Sequence, residues 1–170
     1  MAGSVQIHGT GQLLTLSRRL RTAGGPRLQQ NFARRIRRTA EPLHRDLRST
    51  ITRLPIRSGG RGAGKRGGPS PTSRPFRLAL AGAVRISVRA GSAPGARVFI
   101  DETLLPPGIS AGVLYQLDTG RLRHPVFGNR RRWANQTTSP GWWNRTVNRH
   151  TPRMRAEVAR TLDDVRRQLE

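Results

Sequence analysis

Leu28, Phe32, Ile36, Ala40, Leu43, Leu47, Ile51 and Leu54 follow one another in steps of four and three, the spacing that lines one side of an α-helix. Arg34, Arg35, Arg37, Arg38, Arg45, Arg48 and Arg53 stand between them, mostly off that line. The pattern predicts a long amphipathic helix with a strongly basic outer face. It constrains the fold more than any other feature, because burying such a stripe contributes roughly 1.5–3 kcal/mol for each large side chain, so the stripe must pack against something. Pro26 fits the first turn, while Pro42 interrupts the pattern, either as a kink or as the first turn of a second helical segment. Upstream, Leu13, Leu14, Leu16 and Leu20 suggest a shorter helix ended by Gly24-Gly25.

A second stripe, Met154, Val158, Leu162, Val165 and Leu169, predicts a terminal amphipathic helix. Thr151-Pro152 would supply its cap and first turn, and Ser139-Pro140 an earlier start. Between the helices the period changes. In AVRISVRAG, Val84, Ile86 and Val88 alternate with Arg85, Ser87 and Arg89, and ARVFIDE supplies a second short run after Pro94-Gly95, so two antiparallel strands joined near Gly91 to Gly95 are expected. ISAGVLYQLDTG reads as a helical turn or two closed by Gly120, and HPVFGNRRRWANQTT as another extended piece around Trp133.

The expected fold class is therefore α+β: a long N-terminal amphipathic helix, a small antiparallel sheet and a C-terminal amphipathic helix. A chain of 170 residues accommodates this as one domain. It divides into an N-terminal helical segment (1–57), a flexible Gly/Arg-rich loop (58–74), a strand-rich core (75–138) and the C-terminal helix (139–170). The loop SGGRGAGKRGGPS offers almost nothing to bury against the entropy of ordering it.

Charge decides the class of partner. The chain carries 32 Lys+Arg against 9 Asp+Glu, a net charge of +23, which self-repulsion penalises unless something anionic lies nearby. Glu41 and Asp46 are the only acids in the first 75 residues, although the basic residues divide evenly between the two halves. Lys65 is the sole lysine, a bias that fits a G+C-rich genome better than chemical selection of guanidinium at every position. Arg34 and Arg38 on the helix face, Arg61, Lys65 and Arg66 in the loop, and the run Arg130-Arg131-Arg132 are the groups expected to meet phosphates, a mode of contact that carries no base specificity. Trp133, Trp142 and Trp143 could stack on bases, but aromatic residues flanked by Pro and Gly are expected first as packing anchors at a helix entry.

Several chemistries are excluded or disfavoured. Gly59 and Gly64-Lys65 have the spacing of a phosphate-binding loop, yet the end of an amphipathic helix precedes them, GGPSPTS follows, and Arg66 occupies the position of the magnesium-binding hydroxyl. The absence of cysteine removes disulfides, thiolate catalysis and cysteine-based zinc sites. His8, His44, His124 and His150 lack metal-ligand spacing. Asp101-Glu102 and Asp163-Asp164 are adjacent pairs that point apart and converge with no histidine, and read as a solvated turn and a solvated helix face. No enzyme, metal or cofactor is expected. No apolar run approaches the ~18–20 residues of a membrane span.

Gly120, His124, Pro125, Phe127, Gly128, Trp133, Gln136, Pro140, Gly141, Trp142 and Trp143, followed by RMRAEVARTLDDVRRQLE, form a further pattern. With the upstream helix FARRIRRTAEPLHRDLRSTI, it resembles the neck, or tail-completion, family of long-tailed bacteriophages named after gene product ten of phage Hong Kong 97. The likeness covers most of the chain in layout and residues 113–150 in letters; the Gly/Arg loop departs from the shorter, less basic connection of that family. The resemblance implies a structural virion protein, assembled in the host cytoplasm. It would form a homo-oligomeric ring between the capsid connector and the tail tube, with neighbouring connector, stopper and tail proteins as partners and packaged double-stranded DNA in its channel. Phe32, Phe127, Trp133, Trp142 and Trp143 are then expected to pack subunits together. A tail terminator of the same virion region and a cellular, sequence-nonspecific nucleic-acid-binding protein are the alternatives.

Overall fold

The computed structural model describes residues 4–8, 11, 15, 18, 22, 25–58, 76–89, 95–105, 111–126 and 129–167. In chain order the elements are β1 (Ser4–His8), α1 (Gly25–Arg53), β2 (Arg57–Ser58), α2 (Phe76–Gly82), β3 (Val84–Arg89), β4 (Gly95–Ile100), a 3₁₀ turn (Glu102–Leu104), α3 (Ala111–Thr119), β5 (Arg121–Val126), β6 (Asn129–Thr137) and α4 (Trp142–Arg167). The architecture is α+β, with a long N-terminal helix, a C-terminal helix and small antiparallel sheets, as the periodicities require. Gly11, Thr15, Arg18 and Thr22 are helical, in the stretch expected to hold a shorter helix. The Gly/Arg loop lies outside the described residues, apart from Ser58 at the end of β2.

The chain gathers into two compact units. The first comprises chiefly Leu47–Val84 and Ile100–Thr146; the second comprises Ser4–Asp46, Arg85–Phe99 and Val147–Glu170. Both long helices contribute to both units. The stripe of α1 is buried as its spacing demands: Phe32, Ile36, Ala40 and Leu43 in the second unit and Leu47, Ile51 and Leu54 in the first are all at most 3% exposed. Arg34, Arg37, Arg38, Arg45, Arg48 and Arg53 are exposed. Helix α1 continues through Pro42, which leaves the carbonyl of Arg38 without its intrahelical donor.

In the second unit the sheet has the order β1-β4-β3. β1 pairs antiparallel with β4, Val5 facing Val98 and Ile7 facing Ala96, and the short connection between β3 and β4 can serve only an antiparallel pair. Along β3, Val84 is buried and Ile86 and Val88 half-buried, while Arg85, Ser87 and Arg89 are exposed; on β4, Ala96, Val98 and Ile100 are buried. β1 is an addition to the expected architecture. SVQIH alternates with period two, but five residues without flanking turn signals are too short to announce themselves.

Of the two starts expected for the C-terminal helix, α4 follows the earlier one: it begins at Trp142, just after Ser139-Pro140, and Thr151-Pro152 lie inside it, with the Thr151 hydroxyl donating to the Val147 carbonyl at 2.9 Å. Its buried positions in the second unit are Met154, Val158, Thr161 and Val165, whereas Leu162 is half-buried. The buried side therefore runs through Thr161, whose hydroxyl is satisfied by the Glu157 carbonyl at 2.8 Å.

Of the pair Asp163-Asp164, Asp163 is exposed as expected, while Asp164 is half-buried and ion-paired. Asp164 accepts from Arg35 of α1 and from Arg167 of its own helix. Arg35 first and Arg167 second hold the Asp164 carboxyl below its ordinary value of 3.8. A carboxylate with a depressed folded-state pKa contributes stability above the unfolded value, and that contribution fades as pH falls through the folded one. We therefore expect Asp164→Asn to lower the melting temperature at neutral pH, and the gap from wild type to close progressively below about pH 4. Melting curves between neutral pH and about pH 3 check this; a gap unchanged in acid would separate the ion pair from acid stability.

Candidate nucleic-acid interface

The first unit contains the sheet β2-β6-β5, and its local cause is the turn at Gly120. Helix α3 ends there because Gly120 takes φ +86°, a left-handed conformation that side chains other than glycine resist. The chain then runs directly into β5, a strand absent from the sequence-based expectations. The backbone N–H of Arg123 donates to Gln116 Oε1 of α3 at 2.9 Å, tying the strand to the helix that precedes it.

Pairing of β5 with β6 is antiparallel, with Arg121 opposite Thr137, Arg123 opposite Asn135 and Pro125 opposite Trp133; on the far side of β6, Arg57 of β2 also faces Thr137. Opposed residues point to the same side of a sheet. One side thus carries Arg57, Arg121, Arg123, Trp133, Asn135 and Thr137, every one of them exposed, whereas Leu122 on the other side is buried and Ala134 and Gln136 are half-buried. The register puts no carboxylate on the exposed side. The guanidinium of Arg123 lies 4.7 Å from the centre of the Trp133 ring, a cation–π contact across the diagonal of the ladder. Trp133 remains 47% exposed. Three guanidinium groups without an acid can neutralise phosphates.

The aromatic pair at the start of α4 has a different task. Asp118, near the end of α3, accepts the Trp143 N–H on Oδ1 at 3.0 Å and the Gly141 N–H on its backbone carbonyl at 2.6 Å. It thereby caps α4, whose own first turn holds no acid. The Thr138 N–H donates to the Gly120 carbonyl at 3.0 Å, and Gly141 takes φ +66° to direct the chain into the helix. Trp142 and Trp143 are each 3% exposed and meet edge to face, with ring centres 5.7 Å apart. These are packing anchors of the helix entry.

Of the residues expected to pack subunits together, Phe32, Trp142 and Trp143 are buried within their own chain, Phe32 at 1% exposure, whereas Trp133 is exposed. Phe127, Arg61, Lys65 and Arg66 lie outside the described residues, and the side chains of Arg130 and Arg132 do as well, whereas Arg131 is exposed. Arg34 and Arg38 are exposed on α1, Arg34 donating to Asn31 Oδ1 at 2.6 Å.

In the second unit Arg38 lines a cleft of about 210 Å³ with Arg35, Pro42, His150, Arg153 and Met154. Two of these side chains are already engaged, Arg35 by Asp164 and His150 by Asp46 at 2.8 Å. Among the described residues no three of His, Asp and Glu gather as metal ligands, and no helix is long and apolar enough to cross a membrane.

Of the described sequence-based candidates, Arg34 and Arg38 belong to the second unit and Arg131 and Trp133 to the first. Among the described residues of the first unit Arg57, Arg121 and Arg123 form a coherent cationic face, and none of them stands out in the sequence. The signal that finds them is the alternation Arg-Leu-Arg after a helix-ending glycine, matched across the hairpin by Trp-Ala-Asn. No family model, curated protein or solved structure matches the chain.

Proposed function

We propose that the protein is a structural component of a bacteriophage neck, a ring-forming connector between the capsid portal and the tail that surrounds double-stranded DNA. The observation that carries this reading is the joint between α3 and α4. The letters behind the family resemblance, Gly120, Pro140, Gly141, Trp142 and Trp143, are those that set the turn out of α3, receive the Asp118 cap and anchor the start of the C-terminal helix. The resemblance therefore rests on residues with a definite mechanical task.

Charge supports the same reading. A ring multiplies every exposed arginine by the number of subunits, and a surface with the net charge of +23 per chain then suits a location around DNA or beside acidic neighbours. A tail terminator shares this setting and this logic. Electron microscopy of the purified full chain and of native particles tests the proposal, with closed rings or density at the head-to-tail junction as the expected result. Protein that shows no closed symmetry at any concentration, and forms only salt-sensitive complexes with DNA, would instead indicate a cellular architectural protein.

A further inference from the structure

The exposed side of the β2-β6-β5 sheet carries more than charge, and we propose that it binds single-stranded nucleic acid, with the Arg123–Trp133 pair as its stacking platform. The surface belongs to one chain and needs no ring, so it stands independently of the virion reading.

Duplex DNA turns its bases inward and presents phosphates and groove edges, so a protein that holds it by charge alone gains nothing from an exposed indole. A single strand presents base faces, and proteins that bind it combine a cationic track with aromatic rings on which bases stack. Both parts occur on this face. Arg57 and Arg121 flank Thr137 from opposite sides in one row of the sheet, and Arg123 follows two residues along β5. Neighbouring strands lie about 4.8 Å apart and same-side residues about 6.7 Å apart along a strand, so the three charges form a compact track beside the Trp133 ring.

The Arg123 guanidinium rests on that ring, 4.7 Å from its centre, and the register gives it no carboxylate. A contact to a π face leaves the N–H donors of a guanidinium available to phosphate, and its second plane can itself carry a base. The track ends in a pocket of about 340 Å³ lined by Pro55, Arg57, Thr137, Thr138, Ser139 and Pro140.

The test uses the full chain, a fluorescent oligothymidylate of about 20 nucleotides, longer than the about 4–16 nucleotides such sites span, and a duplex of equal length. Binding is followed by anisotropy over a salt series. Trp133→Ala is expected to weaken oligothymidylate binding roughly 5- to 150-fold and to leave duplex binding unchanged, while Trp133→Phe retains most of the affinity. The triple variant Arg57→Gln, Arg121→Gln, Arg123→Gln is expected to flatten the dependence of log affinity for oligothymidylate on log salt by about 2, since each phosphate left without its arginine accounts for about 0.7. Oligothymidylate affinity indifferent to Trp133→Ala, or an equal weakening for both ligands, overturns the proposal. Should Trp133→Ala fail to fold, an unchanged salt slope in the triple variant overturns it as well.

Discussion

Replacing Leu43 by alanine is expected to lower the melting temperature by roughly 4–20 °C. Leu43 is fully buried, between Ala40 and Leu47 on the same stripe. A buried Leu→Ala change removes transfer free energy and leaves a cavity that the surroundings fill only in part, about 2–5 kcal/mol together. In a chain of this size each kcal/mol corresponds to about 2–4 °C. Arg45, two residues on and exposed, supplies the control, since truncation of a surface side chain stays within about 0.5 kcal/mol. Parallel thermal melts of the two variants decide the matter, and equal melting temperatures would mean that the helix turns a different side to the core.

Gly120→Ala ranks second and acts through the backbone. At φ +86° an added Cβ would lie 3.1 Å from the Thr138 carbonyl oxygen and 3.2 Å from Pro140 Cβ. The left-handed conformation costs roughly 1–2 kcal/mol for a residue with a side chain, and the close approach to backbone adds to it, so a total above about 2 kcal/mol is expected. Two other glycines grade the effect. Gly141, at φ +66°, would place its Cβ no closer than 3.4 Å to the flexible end of Arg145, and Gly82 would meet nothing within 4 Å. Chemical denaturation should therefore rank the alanine variants Gly120, Gly141, Gly82 in order of decreasing destabilisation. A Gly120 variant as stable as the Gly82 variant would show that the turn does not hold α3 against the entry to α4.

The legible part of this fold is the part written in local period. The steps of four and three in α1 named the buried positions because a helix repeats its environment every 3.6 residues, and the alternation in β3 did the same with a period of two. The helix closed by Gly120 was also legible, because a left-handed stop has a residue signature. What escaped was non-local. β1 acquires its identity from a partner some ninety residues away, Val5 against Val98. β5 is short, contains Pro125 and carries arginine on alternate positions, so its apolar content alone does not mark it as a strand; pairing with β6 does. The candidate interface suffered from the same limit. Runs such as Arg130-Arg131-Arg132 catch the eye because they are contiguous, while Arg57, Arg121 and Arg123 become one surface only through register across three strands. The aromatic residues divided for a related reason: Pro and Gly beside Trp142-Trp143 announced an anchor, and nothing local to Trp133 distinguished an exposed ring from a buried one.

The carboxylate of Asp118 gives the C-terminal helix its starting instruction from outside the helix itself. Within α4, the nearest native start signal is Thr151-Pro152, and a free peptide of this sequence would fray back toward that point. The register of the last helix is thus a property of the whole first unit, and transplanting the segment into another scaffold without α3 would carry over its composition but lose its phase.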